Sequence, residues 1–380
     1  TFQFQNQPLE DQKAAQNQTE INYNSTNPAI NIIYPNYYTS INNSSIYDLN
    51  FQKLKKMTQM KKTVVDENSN RNSNNENAIN KIFTTDISDN NCIFLPFGDK
   101  YEGEISRNKP HGQGKYYSST GEIREGIFVN GQLNGKGRMN LTNGVYLEGN
   151  FVNDKLNGEG RTVNINGEIY EGEFADGVRN GKGKLILSNQ DRIEGVFING
   201  IVEGKAKMYN KNGGYFEGEF KNGFPNGKGK KRWSDGTEYE GNFIEGKENG
   251  KGVKRWPDGQ VYEGDFINGT KEGKGVQTFK DGEKYEGDFV RGHYHGRGVY
   301  IWPDGNKYEG EFKNNRIEGK GVWISPNGDK YMGSFKNGKY EGYGVLIYSD
   351  GKRYEGDFKE DEFEGNGRKI YPDGEMYEDS

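Results

Sequence analysis

The lysines of a recurring Gly-Lys-Gly triplet are the residues whose type and spacing most resemble a chemical site. The triplet stands at 250–252 and 273–275, and arginine replaces the lysine at 296–298. Phosphate-binding loops also place lysine after glycine, but there a serine or threonine follows and the loop leads from a strand into a helix. Here a glycine follows, and the triplet recurs at a fixed interval. We therefore expect no nucleotide site and no cofactor.

Histidines and carboxylates are the other candidates for catalysis or metal binding. His293 and His295 lie in a stretch that the pattern predicts to be a loop, and His111 is far away in sequence. A metal site needs more ligands than these, so we expect solvent-facing histidines and no metal. Acids such as Glu286 and Asp288 recur from unit to unit, whereas paired catalytic carboxylates need distinct environments. The sequence therefore predicts a non-enzymatic chain.

A 23-residue interval governs the position of all these residues. The signature Tyr-Glu-Gly begins at Tyr101, Tyr170, Tyr239, Tyr262, Tyr285, Tyr308 and Tyr354, and degenerate copies begin at Arg124, Leu147, Ile193, Phe216 and Tyr331. Twelve full units follow one another without insertion, and a truncated thirteenth begins at Tyr377. A fixed period of this length indicates an array in which each unit packs on its neighbours.

Each unit carries the pattern of a β-hairpin. Tyr285, Gly287 and Phe289 alternate with acids, which is typical of a half-buried strand. Asp304-Gly305 between two such runs predicts a hairpin turn, and we expect the Gly-x-Gly triplet at the other connection. The predicted fold is all-β: an elongated array of antiparallel hairpins, a rod or curved trough, that advances about 9 to 10 Å per repeat.

One unit departs from the pattern. Gln190 stands where the other units have a turn glycine, and Ala206 replaces the second glycine of Gly-x-Gly. We expect a looser or differently shaped turn between Leu187 and Ile193, and a bend or weak joint in the unit that begins at Ile193.

Composition changes near Pro96 and predicts two regions: an Asn/Gln-rich arm over 1–96, extended or with a short helix near 47–64, and a repeat domain over 97–380. Such a polar arm buries too little surface to offset its ordering entropy. The cluster at 93–97 is expected to cap the first repeat. A basic run in the arm is a candidate patch for lipid or an acidic partner, or simply a solvated charge run. It comprises Lys53, Lys55, Lys56, Lys61 and Lys62.

Bulk composition argues against several classes of protein. Only 31% of residues are hydrophobic, which is too few for one large aliphatic core. A net charge of −5 gives no strong attraction to nucleic acid, and no apolar run is long enough for a membrane-spanning helix. The single cysteine, Cys92, excludes an intramolecular disulfide framework and favours a reducing compartment.

Aromatic rings are the sizeable apolar groups, and we expect stacked rings to form the spine of the array. The rings assigned to the second strand are Trp233, Trp256, Phe279, Trp302, Trp323 and Tyr348. Tyrosine and tryptophan are also favoured anchors at protein interfaces. The predicted partner groove consists of Tyr239, Trp256, Tyr262, Phe266, Tyr285, Trp302, Tyr308 and Trp323.

Charged residues are expected to form parallel rows of opposite sign along the array. The acidic row follows the signature tyrosine and comprises Glu240, Glu263, Glu286 and Glu309. The basic row lies within Gly-x-Gly and comprises Lys251, Lys274, Arg297 and Lys320.

The succession Tyr-Glu-Gly-Glu/Asp-Phe, Asn-Gly, Gly-Lys-Gly and Trp-Pro-Asp-Gly resembles the MORN repeat, from about Tyr101 to Ser380. Phenylalanine stands where the family often has tryptophan at the fifth position. The resemblance implies roles that diverge, because such arrays occur in radial-spoke heads of cilia, in junctophilins, in plant phosphatidylinositol phosphate kinases and in a SET-domain methyltransferase. Some members look like troughs that accept a peptide or helix along an aromatic-lined groove.

We expect a non-enzymatic scaffold in a large protein assembly, with the radial-spoke head of a ciliary axoneme as its setting and a cytoplasmic, cytoskeletal location. We expect the array to fill the folded part and no membrane anchor to follow it, and the Asn-rich composition suits a ciliated protist. The alternatives are a peripheral membrane organiser that binds anionic phospholipids and a regulatory subunit of an enzyme complex. The expected partners are other proteins rather than nucleic acid, and homo-oligomerisation stays open.

Overall fold

The computed structural model describes residues 86–88 and 91–379. The described residues divide into two compact units: one runs to Lys211 and includes 220–223, and the other comprises 212–219 and 224–379. Both consist of β-strands, with one short 3₁₀ segment at Pro96–Gly98 and no α-helix among the described residues. The described chain thus offers no helix long and apolar enough to cross a membrane. The predicted all-β fold is confirmed.

The first unit contains twelve strands, and each pairs antiparallel with the next along the chain. Their bounds are β1 Asp86–Ser88, β2 Cys92–Phe94, β3 Lys100–Ser106, β4 Lys109–Tyr117, β5 Ile123–Val129, β6 Gln132–Asn140, β7 Tyr146–Val152, β8 Lys155–Val163, β9 Ile169–Ala175, β10 Val178–Ile186, β11 Arg192–Ile198 and β12 Ile201–Tyr209.

The second unit begins at Asn212 and includes most of β13, and its strands from β14 onward again pair antiparallel in chain order. The bounds are β13 Tyr215–Lys221, β14 Phe224–Arg232, β15 Glu238–Ile244, β16 Lys247–Arg255, β17 Val261–Ile267, β18 Thr270–Thr278, β19 Lys284–Val290, β20 His293–Ile301, β21 Lys307–Lys313, β22 Arg316–Ile324, β23 Lys330–Lys336, β24 Lys339–Ile347, β25 Arg353–Lys359, β26 Glu362–Ile370 and β27 Met376–Asp379. The twelve predicted units therefore each form a hairpin, and β27 is the truncated thirteenth.

The hairpin within each repeat closes on two residues. Between β17 and β18 these are Asn268 and Gly269, with φ of 50° and 87°. Two successive positive φ values define a type I′ turn, whose twist matches that of the flanking strands. The expectation that Gly-x-Gly forms this connection is wrong, because 296–298 lie inside β20.

The connection between repeats is the predicted Asp-Gly turn. Over 302–306 the Gly305 amide donates to the Trp302 carbonyl at 3.0 Å, and the Asp304 carboxylate accepts the Asn306 amide at 3.0 Å. The expectation of a looser turn at Gln190 is wrong. Gln190 adopts the glycine conformation, with φ of 72°, and its amide donates to the Leu187 carbonyl at 2.9 Å. The turn keeps its geometry and holds a non-glycine residue in the left-handed region.

A bulge lies in each hairpin beside Gly-x-Gly. Gly287 pairs with Gly298 but Asp288 pairs with His295, so two extra residues are accommodated in β20. The Asp288 carboxylate accepts the Arg297 amide at 3.0 Å and satisfies a donor that the bulge removes from the ladder. The acid at the fourth position of the repeat therefore has a structural role, because it accepts a backbone hydrogen bond at the bulge.

The sheet starts before the boundary predicted near Pro96. Strand β2 pairs with β3, and Ile93 lies fully buried opposite Tyr101. Phe94 and Phe97 are about half exposed, so Ile93 is the residue of the predicted cap that is buried against the first repeat. The predicted helix near 47–64 and most of the arm lie outside the described residues.

Candidate interaction face

Alternation along the strands gives the sheet two different faces. We call the face that carries Tyr262, Tyr285 and Tyr308 the tyrosine face, and the face that carries Glu263 and Glu286 the glutamate face. The three tyrosines have no exposed surface, whereas the two glutamates are exposed. The apolar packing of each unit is therefore on the tyrosine face.

Signature tyrosines with a complete repeat on either side pack edge-to-face against two phenylalanines. Tyr285 meets Phe289 of its own repeat at 5.1 Å and 87°, and Phe312 of the next repeat at 5.0 Å and 87°. The geometry recurs, with Tyr262 and Phe289 at 4.9 Å. Each such pair contributes about 0.5 to 1.5 kcal/mol beyond area burial. An aromatic spine is present, but its rings are the first and fifth residues of the repeat in edge-to-face contact, so the prediction of stacked rings from the second strand is wrong.

The tyrosine ring lies flat over a pair of facing glycines. A methyl group at Gly298 would lie 2.5 Å from Tyr285 Cε2, and one at Gly287 would lie 2.6 Å from its hydroxyl oxygen. The hydroxyl then donates to the Asp288 carbonyl at 2.8 Å. Burial raises the pKa of these tyrosines, to about 12 for Tyr239. The conspicuous glycines thus make room for a ring.

The degenerate unit supports this assignment. Ile193 replaces the signature tyrosine, and Ala206 replaces the glycine opposite Gly195. Because isoleucine is shorter than tyrosine, the ring that would exclude a methyl group is missing, and Ala206 lies buried there. The replacement of tyrosine by Ile193 and the replacement of glycine by Ala206 therefore compensate one another within this repeat.

Most of the predicted partner groove is interior. Tyr239, Tyr262, Phe266, Tyr285, Tyr308 and Trp323 are each 9% exposed or less, so they pack the unit rather than line an accessible groove. Trp256 and Trp302 are half-buried and keep accessible surface. The predicted register of Trp323 is wrong by two positions. Trp323 pairs with Tyr308 inside the sheet, whereas Trp302 lies in a turn.

Three lysines outside the predicted groove meet two of the indoles on the tyrosine face. Lys231 and Lys254 pair with Tyr239 from either side. Lys231 Nζ lies 4.5 Å from the Trp233 ring, and Lys254 Nζ lies 4.9 Å from Trp233 and 5.5 Å from Trp256. Burial lowers the pKa of Lys231, while nearby Glu248 opposes that shift and Lys254 adds to it. We call Lys231, Trp233, Lys254, Trp256 and Lys271 the cation–indole cluster.

Lys271 completes this cluster from the neighbouring hairpin. Its Nζ lies 5.6 Å from the Trp256 ring and donates to the Gln277 side-chain oxygen at 2.7 Å. Position within the repeat was the available signal, because one and the same site of four different repeats carries Lys231, Lys254, Tyr300 and Trp323. A search for charge runs does not find residues that are 23 positions apart.

The predicted charge rows pair differently from expectation. Lys251 contacts Asp265 at 2.9 Å and Lys274 contacts Asp288 at 2.5 Å, so each base meets the fourth-position acid of the next repeat. Glu286 instead contacts Lys284 of its own strand at 2.9 Å. These are exposed pairs, each worth about 0 to 1 kcal/mol.

The histidines lie in strands, so the predicted loop is wrong. His293 and His295 belong to β20 and His111 belongs to β4. His293 Nδ1 is 2.8 Å from the Asn315 amide nitrogen. Over residues 86–88 and 91–379, no cluster of three or more His, Cys, Asp or Glu side chains could hold a metal ion. Cys92 is buried. The predicted patch at Lys53, Lys55, Lys56, Lys61 and Lys62 lies outside the described residues.

The glutamate face presents an apolar row at the hairpin ends. Ile244 and Ile267 are each 56% exposed and Val290 is 41% exposed, all at the sixth position of the repeat. Lys313 and Lys336 occupy the same position in the next two repeats. This row combines exposed apolar and basic side chains.

Comparison with known proteins gives one family. The MORN repeat family matches eleven segments: 101–123, 125–146, 148–168, 170–192, 216–238, 239–261, 262–284, 285–307, 308–330, 331–353 and 354–376. The unmatched interval contains Ile193 and Ala206, the unit that departs most from the repeat. No curated protein matches the chain.

Solved structures give distant likenesses. The wild-type TCP10 domain of Danio rerio CPAP is 13% identical, over 63% of this chain and 96% of that one, with a TM-score of 0.21. The SAS-4 TCP domain of Drosophila melanogaster, in complex with a proline-rich motif of Ana2, is 11% identical over 58% and 88%, with a TM-score of 0.21. At these scores neither likeness carries an argument about this chain. The eleven matched segments span more than half of the sequence and coincide with the hairpins, and the chain therefore belongs to the MORN-repeat family.

Proposed function

We propose that this chain is a non-enzymatic scaffold that binds other proteins through the tyrosine face. The observation that carries the proposal is the cation–indole cluster. Trp233 and Trp256 keep accessible surface beside Lys231 and Lys254, on a face that is otherwise packed with buried rings. Large aromatic side chains with charged neighbours are the usual anchors of protein interfaces. MORN repeats are protein-interaction or membrane-binding modules, and this surface favours the first.

The proposed setting is a large cytoskeletal assembly, namely the radial-spoke head of a ciliary axoneme. The family resemblance supports it, since spoke heads contain proteins of this kind. The Asn-rich composition of residues 1–96, which suits a ciliated protist, adds to that support. A stack of repeats that contact only their neighbours offers an extended binding surface, as a structural component requires.

Cross-linking of intact axonemes with the full chain in place tests both the proposed scaffold function and the proposed radial-spoke setting. We expect cross-links from lysines of the tyrosine face to other proteins, spoke-head components among them. Cross-links to proteins outside the spoke would reject the setting and leave the scaffold. A chain with no protein contacts in its native extract would contradict the scaffold itself, and stoichiometric recovery with a catalytic subunit would indicate a regulatory subunit instead.

Membrane binding is the second candidate, and the exposed row at the hairpin ends favours it. Ile244, Ile267 and Val290 lie in line with Lys313 and Lys336, a combination that suits an anionic bilayer surface. Flotation with phosphatidylserine vesicles tests this candidate. Salt-sensitive flotation that is lost in the triple variant Ile244→Ser, Ile267→Ser, Val290→Ser would support it, whereas flotation lost only on removal of residues 1–85 would place the contact in the arm.

A further inference from the structure

The residues that pair with the signature tyrosines from the neighbouring strands change from basic to aromatic along the second compact unit. From β14 to β18 they are Lys231, Lys254 and Gln277, and from β20 to β22 they are Tyr300 and Trp323. The same row of the tyrosine face is therefore cationic at one end and aromatic at the other.

The cationic end holds charge that the described chain does not neutralise. The side-chain ammonium groups of Lys231 and Lys254 form no ion pair and no hydrogen bond with another described residue, and both side chains are half-buried. Among the described carboxylates, that of Glu248, which is 8% exposed, is the one that raises the pKa of Lys231. Partly desolvated ammonium groups without a paired carboxylate lower stability.

The indoles stabilise these ammonium groups only in part. Lys254 Nζ lies within 5.5 Å of two indole rings, and such cation–π contacts leave the ammonium group without a negative counter-charge. Tyr239 separates the strands of Lys231 and Lys254, which places the two backbones about 9 to 10 Å apart at ordinary strand spacing. An occupant that carries carboxylates at about that separation would complement both charges.

We propose that the cation–indole cluster is the docking site for an acidic segment of a protein partner, whose carboxylates pair with Lys231 and Lys254 and whose apolar side chains contact Trp233 and Trp256. The proposal rests on the proposed function, since it names the chemistry of the partner. Charge complementarity selects this occupant, because the uncompensated charge is positive and the surface beside it is apolar. The acidic segment binds at the cationic end, and the aromatic end stays the interior of the unit.

Fluorescence anisotropy of the full chain with a labelled probe peptide tests the proposal. The probe consists of repeated Leu-Glu-Glu triplets, and its matched control consists of Leu-Gln-Gln triplets. We expect the acidic probe to bind, the neutral probe to bind at least tenfold more weakly, and the double variant Lys231→Gln, Lys254→Gln to lose at least tenfold in affinity for the acidic probe. Because the variant removes unpaired charges, its fold should persist, which circular dichroism checks.

The double variant Lys251→Gln, Lys274→Gln is the matched control. It removes the same charge from neighbouring repeats, but these lysines pair with Asp265 and Asp288 on the glutamate face. We expect its affinity for the probe to change less than twofold. Equal losses in the two double variants, equal binding of the two probes, or no binding would overturn the proposal.

The outcome is separable from that of the proposed function. If the double variant Lys231→Gln, Lys254→Gln retains the cross-linked protein partners of the wild-type chain, the acidic-segment site alone is refuted. A chain without protein partners refutes the scaffold. Binding to phosphatidylserine vesicles that depends on Lys231 and Lys254, with no probe binding, would overturn the proposal in favour of a membrane occupant.

Discussion

Replacing Gly298 by alanine tests the packing of the tyrosine ring. The new methyl carbon would lie 2.5 Å from Tyr285 Cε2 and 2.6 Å from its Cζ and hydroxyl oxygen. Carbon atoms pack best at about 3.5 to 4.0 Å, so the ring must move by about 1 Å. Overpacking of this kind costs about 1 to 3 kcal/mol. Gly298 does not adopt a positive φ, so backbone strain adds nothing to that cost.

A double-mutant cycle with Tyr285→Ala isolates the clash. The truncation alone is expected to cost about 3 to 5 kcal/mol, as for other buried aromatic residues. Without the ring, Gly298→Ala should be neutral or slightly stabilising, because alanine lowers the entropy of the unfolded chain. Ala206 beside Ile193 already shows that the backbone admits a methyl group where no ring is present.

Hydrogen exchange of strands β19 and β20 is the assay, because it reports the local opening free energy of one hairpin in an array. We expect exchange in Gly298→Ala to accelerate by about 5- to 150-fold, equivalent to about 1 to 3 kcal/mol. In the Tyr285→Ala background the same substitution should leave exchange unchanged or slower. An equal acceleration in both backgrounds would refute the assignment of the glycines to the ring.

Three further predictions follow from local geometry. Gln190→Gly should slow hydrogen exchange of the β10–β11 hairpin, corresponding to about 1 kcal/mol, because it relieves a left-handed non-glycine residue; faster exchange would contradict this. Lys231→Met should raise the urea midpoint at neutral pH, and the gain should shrink as pH rises towards 10.5, since the folded state releases the Lys231 proton first; a pH-independent gain would point to packing instead. The pKa of Tyr239 is raised to about 12 from 10.0, so the stability it contributes is present below pH 10 and is lost between pH 10 and 12. Tyr239→Phe should reduce this alkaline loss in urea titrations, and an unaltered alkaline profile would argue against it.

The repeat and its hairpins could be predicted from the sequence. The alternation from Tyr285 to Phe289 and the turn at Asp304-Gly305 are local signals, and each corresponds to a local structure. Gly298 was assigned to a turn because a glycine pattern does not reveal what approaches the backbone. Its role depends on a ring thirteen residues earlier, which alternation alone does not locate.

The candidate site was predictable only in part. Trp256 and Trp302 were identified, but Trp323 was assigned to the wrong register because tryptophan occurs at two sites of the repeat. Lysine is common throughout the chain, so Lys231 and Lys254 do not stand out in the sequence. They matter because both pair with Tyr239 and therefore lie on the tyrosine face. Aligning the repeats on the tyrosine position would have exposed them.

Site-specific photo-crosslinking from the two faces tests the central claim most directly. A photoreactive amino acid replaces Gln260, which contacts Gln277 on the tyrosine face, or Glu263, which is exposed on the glutamate face. In the native cell the account predicts protein adducts from position 260 and few from position 263. Adducts from position 263 alone, or none from either position, would contradict a scaffold that binds proteins through its tyrosine face.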